Sequence, residues 1–252
     1  MITKNQIKYI NSLQQKKFRL EYRSFVVEGA KSVVELLKSD FEIGSLFITK
    51  TFLEENSLLL NNSIAECIMV EPQELEKVGS FSSNNAALAV VKTKENTELL
   101  VDEEEFALVL DDIRDPGNLG TIIRIADWYG VRKIICSLST VDFYNPKVIN
   151  ATMGSFTRVS LFYTDLETFI NEQNVNIYGT LLDGDNIHET DFSISGCIVI
   201  GNEANGISKE VIKLITHKIT IPRFGGAESL NAGNATAVVL DNVFRQKSKR
   251  LI

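Results

Sequence analysis

The second half of the chain alternates continuous apolar runs with helical segments, and this pattern limits the possible folds more than any other feature. Phe106–Leu110 and Cys197–Ile200 are apolar at every position, which is typical of strands that are buried on both faces. Strands that alternate with helices pair into a parallel sheet with helices on its two sides. We therefore expect an α/β fold whose main part is a parallel sheet within residues 106–252.

The first part of the chain shows a separate and smaller α/β pattern, which ends in the apolar run Ala86–Val91. The segment that follows, residues 93–105, is polar and charged and has little apolar surface to bury. We therefore expect a small domain over residues 1–92, a linker over residues 93–105 and a larger domain over residues 106–252.

The charge of the chain restricts its function class. The formal net charge of −7 at pH 7 argues against a protein that coats nucleic acid by general attraction. Residues 1–24 nevertheless hold six basic side chains against one acid, Glu21. Such a segment is either a solvated helix face or a set of phosphate contacts, and the sequence pattern leaves both open.

The sequence has no apolar signal core near its start and no run of about 18 apolar residues. We therefore expect no export signal, no membrane span and a cytoplasmic location. Cys67, Cys136 and Cys197 lack the spacing of metal ligands, so we expect buried thiols in a reducing compartment.

Three glycine-containing turns follow apolar strands, within residues 110–120, 200–208 and 221–235. They fall at the sheet edge where open α/β folds bind their ligands. None of them has the Gly-x-Gly-x-x-Gly dinucleotide fingerprint, and the chain has no phosphate loop that ends in Gly-Lys-Ser/Thr. The sequence therefore argues against an NAD-dependent enzyme and against an enzyme that uses nucleotide triphosphates.

In the first turn, Asn118 is expected to cap a helix, and Arg124 follows six residues later among isoleucines. Burial of a guanidinium in such surroundings requires an anion or a carbonyl partner. We expect either an arginine that faces a ligand or a surface arginine that pairs with Asp115 or Asp127.

Taken together and in this order, the three turns resemble the signature motifs of the SpoU (TrmH-like) RNA methyltransferases of the SPOUT class. The matching residues are Asn118, Gly120, Arg124 and Ala126, then Gly201, Glu203 and Gly206, then Ile221-Pro222, Glu228-Ser229-Leu230-Asn231 and Ala235. One departure is Ala232-Gly233, where many members of the family carry Val-Ser. The N-terminal part of the chain is similar to the family's small L30e-like substrate-binding domain, and the stretch from Arg19 to Gly29 carries this resemblance.

The resemblance implies a deep trefoil knot in the C-terminal domain, a homodimer formed through that domain, and S-adenosyl-L-methionine as cofactor. It implies no metal, and Asp111, Asp112 and Asp115 fit a carboxylate-capped turn better than a magnesium site. The expected cofactor-binding residues are Thr180, Leu181, Leu182, Ile200, Gly201, Asn202, Glu203, Gly206, Ile221, Leu230, Asn231 and Ala232.

The implied reaction is methyl transfer to a ribose 2′-hydroxyl of RNA, with ribosomal RNA favoured over transfer RNA because of the separate N-terminal domain. The expected catalytic residues are Arg124, Asn118, Glu203, Ser229 and Asn231, and the expected RNA contacts are Lys16, Lys17, Arg19, Arg23 and Arg124. The alternative is a non-catalytic RNA-binding protein that retains the fold, and the Ala232-Gly233 departure is the only sequence feature that favours it.

Overall fold

The computed structural model describes residues 1–60, 64–80 and 84–250, with the side chains of residues 247–250 outside the described part. The described helices are α1 (Lys4–Ser12), α2 (Lys16–Tyr22), α3 (Ala30–Leu37), α4 (Lys50–Asn56), α5 (Pro72–Leu75), α6 (Pro116–Trp128), α7 (Pro146–Thr152), α8 (Leu166–Asn171), α9 (Lys209–Ile212) and α10 (Ala232–Arg250). The described strands are β1 (Ser24–Glu28), β2 (Ile43–Ile48), β3 (Glu66–Met69), β4 (Ala87–Lys92), β5 (Phe106–Leu110), β6 (Lys133–Ser137), β7 (Ser160–Thr164), β8 (Ile177–Asn186), β9 (Gly196–Ile200) and β10 (His217–Thr220).

The chain divides into two compact units. The first unit consists of Met1–Glu95 and Asp142–Thr157, and the second of Asn96–Val141 and Arg158–Ile252. Residues 142–157, which lie within the predicted domain 106–252, therefore group with the N-terminal part of the chain.

The first unit contains a four-stranded sheet in the order β1-β4-β2-β3. Strand β4 runs antiparallel to both β1 and β2, while β2 and β3 are parallel. Its core includes Ile10 and Leu13 beside the strand residues Val26, Phe47 and Leu88. Ile7, Ile10 and Leu13 recur at helical spacing in the sequence, and their packing on this sheet explains that spacing.

Arg19 is a core residue of the first unit, with only 4% of its surface exposed. Its Nε and Nη2 donate to Asp142 Oδ2 over 3.1 and 2.6 Å. Its Nη1 donates to the carbonyl oxygens of Leu13 and Gln14, both over 2.9 Å. The prediction that Arg19 contacts RNA is corrected, because its guanidinium is buried and bound by protein oxygens.

The second unit contains an all-parallel six-stranded sheet in the order β10-β8-β9-β5-β6-β7. The central strands β5 and β9 are buried at every position, which confirms the parallel α/β fold that their apolar sequences predict. Helix α6 packs against α10, and α8 packs against α9 and β6. Within the described residues, no helix is both long and apolar enough to cross a membrane.

Strand β8 contains an irregularity at its carboxyl end. Lys218 of β10 pairs with Gly179, whereas the next residue, Ile219, pairs with Asp185. Five residues of β8, 180–184, therefore lie outside the ladder with β10. A Cβ at Gly184 would lie 2.6 Å from the carbonyl carbon of Ile219, so only glycine fits where the chain returns to its partner strand.

The cysteines differ in exposure. Cys136 and Cys197 are buried, as predicted, and burial raises the pKa of Cys197 to about 12. Cys67 lies exposed on strand β3, so the expectation that all three thiols are buried was wrong. Strand β3 forms the edge of its sheet, so it has a neighbouring strand on one side only.

Candidate active site

The loops that follow the parallel strands of the second unit meet at one edge of the sheet, since their carboxyl ends share that edge. Helix α6 follows β5 and begins at Pro116, with Asp115 as its N-cap. Asp115 Oδ1 accepts a hydrogen bond from the Asn118 backbone N–H over 2.8 Å. Asn118 does not cap the helix as predicted, and its side chain is therefore available for contacts with the other loops.

The Asn118 side chain joins all three glycine-containing turns. Its Nδ2 donates to Glu203 Oε1 in the second turn, and its Oδ1 accepts from Asn231 Nδ2 in the third over 2.6 Å. Because a carboxylate oxygen can only accept, Glu203 fixes which way the Asn118 amide points. Ser229 Oγ donates to the Glu203 carbonyl oxygen over 3.5 Å. Four of the predicted catalytic side chains therefore lie together.

Asn231 also begins helix α10. Its Oδ1 accepts from the Asn234 N–H over 3.2 Å, and its carbonyl oxygen accepts from the Ala235 N–H over 2.9 Å. This is N-cap geometry, and it leaves Nδ2 for Asn118. A Cβ on Gly233 would lie 2.9 Å from Cγ2 of Thr121 on α6. Gly233 of the Ala232-Gly233 departure is thus explained by packing, because it allows α10 to approach α6 closely.

Glu203 is held by a tight loop after β9. Asn202 and Gly206 exchange two backbone hydrogen bonds of 3.0 and 2.9 Å across it. Gly206 has a φ of +68°, a region that favours glycine. A Cβ on Gly201 would lie 2.3 Å from the carbonyl carbon of Gly206, so no larger residue fits at position 201 without moving backbone.

The Asn202 side chain stabilises this loop through hydrogen bonds to backbone groups. Its Oδ1 accepts from the N–H groups of Ala204 and Asn205 over 2.9 and 3.1 Å. Its Nδ2 donates to the Asp112 carbonyl oxygen over 2.8 Å. The side chain, which was predicted to bind the cofactor, is thus engaged with protein groups, and it positions the Glu203 loop against the loop after β5.

Asp112 supports this contact in a left-handed conformation, with a φ of +59°. Its N–H donates to Ser137 Oγ over 2.9 Å, and Arg114 Nε donates to its Oδ1 over 2.9 Å. Burial raises the pKa of the Asp112 carboxyl, but the hydrogen bonds from Arg114 and Ser139 and the charge of Arg114 outweigh burial and lower it. The carboxylate therefore stays ionised at neutral pH.

The other two aspartates of the first turn have separate partners. Asp111 is buried, and its Oδ2 accepts from the Ser208 N–H over 2.7 Å, which ties the first turn to the second. Asp115 caps α6. Among the residues that the structure describes, no three histidine, cysteine, aspartate or glutamate side chains are grouped as metal ligands.

Arg124 is exposed on α6. It lies one helical turn beyond Thr121, the residue that faces Gly233 of α10. The expected alternative partners are otherwise engaged, since Asp115 caps the helix and Asp127 pairs with Arg158 over 2.8 Å. No hydrogen bond or ion pair links Arg124 to any residue in the described ranges. Its guanidinium can therefore bind an anion from solution.

The remaining predicted cofactor residues lie at the same sheet edge. Thr180, Leu181 and Leu182 belong to the irregular part of β8, where Thr180 Oγ1 donates to the Val199 carbonyl oxygen over 2.9 Å. Ile200 ends β9 and Ile221 follows β10. Leu182 and Leu230 expose 78% and 48% of their surfaces, which are apolar areas that an aromatic ligand could cover.

The predicted RNA contacts other than Arg19 are open to solvent. Lys16 and Lys17 are exposed in the first turn of α2, and Arg23 is exposed directly after this helix. The partner that buries Arg19, Asp142, lies 123 residues further along the chain, so no local sequence signal could have separated Arg19 from its basic neighbours.

Comparisons with known proteins match both parts of the chain. The sequence model of the SpoU rRNA Methylase family matches residues 105–241, and that of the MRM3-like substrate binding domain matches residues 4–89. The chain is 29% identical over 245 residues to the 23S rRNA (guanosine(2553)-2′-O)-methyltransferase RlmP of Bacillus subtilis, covering 94% of this chain and 95% of that protein.

Solved structures agree with these matches over nearly the whole length. A Porphyromonas gingivalis structure assigned to the TrmH family of RNA methyltransferases superposes with a TM-score of 0.86 and 32% identity, covering 96% of this chain and 98% of that one. An AdoMet-bound rRNA methyltransferase from Sinorhizobium meliloti gives a TM-score of 0.88 and 29% identity, covering 97% and 96% of the two chains.

Proposed function

Because this chain belongs to the SpoU rRNA methylase family, we propose that it transfers a methyl group from S-adenosylmethionine to a ribose 2′-oxygen of ribosomal RNA. The observation that carries this function is the hydrogen-bonded group of Asn118, Glu203 and Asn231. It joins the three family motifs, and Arg124 is exposed on the same helix as Asn118, six residues further along the chain.

The chain's own residues fit the cofactor. Gly201 leaves the backbone after β9 open to close approach, and residues 180–184 of β8 lie outside the ladder with β10. Such strand-end backbone can hydrogen-bond an adenine or an amino-acid group, while Leu182 and Leu230 offer apolar surface. S-adenosylmethionine supplies a methyl group on a sulfonium, which becomes a neutral thioether after transfer.

Arg124 acts on the nucleophile. A ribose hydroxyl is a poor nucleophile near neutral pH, so it must be aligned with the methyl group and lose its proton. Arginine stays protonated under these conditions and is therefore a poor base. We assign it a different role: the guanidinium holds the adjacent phosphate and stabilises the negative charge that develops on the 2′-oxygen, while the proton leaves to phosphate or water.

Asn118, Glu203, Ser229 and Asn231 orient the reacting groups. Their mutual hydrogen bonds fix the first turn of α6, the loop after β9 and the start of α10 relative to one another. Orientation of this kind lowers the barrier without any group of the protein reacting covalently. We therefore place these four residues at the ribose and the cofactor, with Arg124 at the phosphate.

The N-terminal part positions the substrate. We assign residues 1–92 to an L30e-like substrate-binding domain, residues 93–105 to a linker and residues 106–252 to the methyltransferase domain, except that residues 142–157 group with the first unit. The match of residues 4–89 to a substrate binding domain supports this assignment. Lys16, Lys17 and Arg23 are placed at RNA phosphates, which gives affinity without base recognition. The separate domain favours ribosomal over transfer RNA.

We also infer a trefoil knot around the last motif, a homodimer formed through the knotted domain, and action in the cytoplasm. Helix α10 follows the edge strand β10 in the chain but packs on α6, the helix after the central strand β5, and this supports the knot. Trp128 ends α6 with 84% of its surface exposed. Its exposure supports a second copy of the chain on this helix.

Two assays test the function. The protein is first titrated calorimetrically with S-adenosylmethionine, and tritiated methyl transfer is then measured on ribosomal RNA from a strain that lacks the gene. Binding followed by transfer into ribosomal RNA supports the proposal. Binding of the RNA without binding of the cofactor would instead establish the non-catalytic alternative, and transfer only into transfer RNA would replace the substrate.

A further inference from the structure

Phe224 is an aromatic side chain that the fold leaves almost uncovered. It exposes 97% of its surface in the loop between β10 and α10. A phenylalanine in water gives up the stabilisation that burial of its ring would provide. Its neighbours do not shield it, since Gly225 and Gly226 have no atom of another segment within 4 Å of where a Cβ would stand.

The loop that carries Phe224 is fixed at both ends to the candidate active site. Before the loop, Thr220 Oγ1 donates to the Leu182 carbonyl oxygen over 3.4 Å, next to the irregular part of β8. After it, Asn231 donates to Asn118. Phe224 therefore belongs to the same loop as the residues that join the three motifs, although it contacts none of them.

Within the loop, Arg223 holds a turn. Its Nη1 donates to the Ala227 carbonyl oxygen over 3.2 Å, which bridges the two glycines. This contact keeps the segment folded back on itself, with Phe224 on its outside. The loop thus carries a positive charge on the residue directly before the exposed ring, and a loop that offers both an aromatic ring and a guanidinium suits nucleic acid.

We propose that Phe224 is a substrate-positioning residue that stacks on an unpaired base of the RNA at the site of methylation. The inference rests on the proposed function, and it adds a requirement that the target ribose lies in a single-stranded segment. Sequence-specific proteins meet RNA bases where these are unstacked, and aromatic rings are the usual platform there. A contact with the cofactor or with a second copy of the chain would also bury this ring. The experiment therefore distinguishes base stacking from cofactor binding and from dimer formation.

The test compares Phe224→Ala with Phe224→Tyr, using Ile194→Ala as the matched control, because Ile194 is exposed in the second unit just before the amino end of β9, at the opposite end of this strand from the candidate active site. Loss of one base stack predicts about a ten- to hundredfold lower kcat/KM for ribosomal RNA with Phe224→Ala, mainly through KM. Phe224→Tyr and Ile194→Ala keep the activity of the wild type. The affinity for S-adenosylmethionine and the molecular mass in solution stay unchanged in all three variants.

A fluorescent probe reports stacking directly and does not depend on turnover. A single-stranded RNA decamer that contains 2-aminopurine is quenched by the wild type and by Phe224→Tyr, but not by Phe224→Ala, and the corresponding duplex is not quenched. Equal quenching by wild type and Phe224→Ala overturns the inference, as does weaker cofactor binding or a changed mass of Phe224→Ala. If the wild type quenches the 2-aminopurine fluorescence but transfers no methyl group, the proposed function is wrong while the stacking by Phe224 stands.

Discussion

Asn231 donates from Nδ2 to Oδ1 of Asn118 over 2.6 Å, and this hydrogen bond joins two residues 113 positions apart in the chain. Asn118 in turn donates to Glu203, whose carboxylate can only accept. The three side chains therefore have one consistent set of donors and acceptors, which runs from the N-cap of α10 to the loop after β9. The arrangement depends on all three members.

Asn118→Ala removes both hydrogen bonds and leaves the three loops without their common partner. We expect kcat to fall by about ten- to hundredfold, since small displacements of catalytic groups have effects of this size. The control is Asn171→Ala on α8, where the side chain donates to the Glu167 carbonyl oxygen and to no other group of the described residues. Steady-state methyl transfer measures the difference. Equal rates for the two variants would remove Asn118 from the catalytic group.

Gly201→Ala places a methyl group against the backbone of Gly206 and Ile207, 2.3 and 2.4 Å from the nearest atoms. The loop after β9 must then move, and we expect the affinity for S-adenosylmethionine to fall by at least about tenfold. Calorimetric titration measures this. Gly44→Ala is the control, since its new methyl group would lie at an ordinary 3.6 Å from the Val90 carbonyl oxygen. Unaltered binding by Gly201→Ala contradicts the assigned cofactor site.

Neutralisation of Lys16, Lys17 and Arg23 by glutamine tests the RNA-contacting surface. Each lost phosphate contact flattens the dependence of log K on log salt by about 0.7 to 0.9, so the triple variant lowers the slope by about 2 to 3. Binding titrations between low and moderate salt measure it. The double variant Lys209→Gln/Lys213→Gln on the second unit keeps the wild-type slope, and an equally steep slope in the triple variant refutes the assignment.

Arg19→Ala has a different consequence, because Arg19 is buried against Asp142 and two carbonyl oxygens. Removal leaves a half-buried carboxylate and two backbone acceptors without their partner, at a cost of about 3 kcal/mol in the free energy of unfolding. Chemical denaturation measures the loss, and the salt dependence of RNA binding stays that of the wild type. A stable variant with a flatter salt dependence would restore Arg19 to the RNA surface.

The sequence predicts the strands of the second unit well, because continuous apolar runs such as Phe106–Leu110 have few alternatives to a buried strand. The three motifs likewise identify Asn118, Glu203 and Asn231 before any geometry is known. Their distances along the chain say nothing about hydrogen bonds, however. Asn202 Oδ1 accepts hydrogen bonds inside its loop, and Asp115 Oδ1 accepts one at the start of α6. Backbone conformation decides which side-chain oxygen each N–H group reaches, and the sequence does not show it.

Other features depend on contacts that no local pattern contains. The grouping of residues 142–157 with the first unit, and with it the burial of Arg19, comes from Asp142. Helix α2 is not predicted, since its Lys16–Tyr22 segment has no clear apolar period. The irregular pairing of β8 with β10 is a property of two strands together, and Gly184 alone gives only a weak indication of it.

The most direct test of the account is the position of the transferred methyl group. Ribosomal RNA from the deletion strain is labelled by the wild type with tritiated S-adenosylmethionine and then hydrolysed in alkali, which cleaves only beside an unmodified 2′-hydroxyl. We predict that the label is recovered in alkali-resistant dinucleotides, and that Arg124→Lys binds the cofactor normally but transfers no label. Label in mononucleotides, or undiminished transfer by Arg124→Lys, would contradict the account.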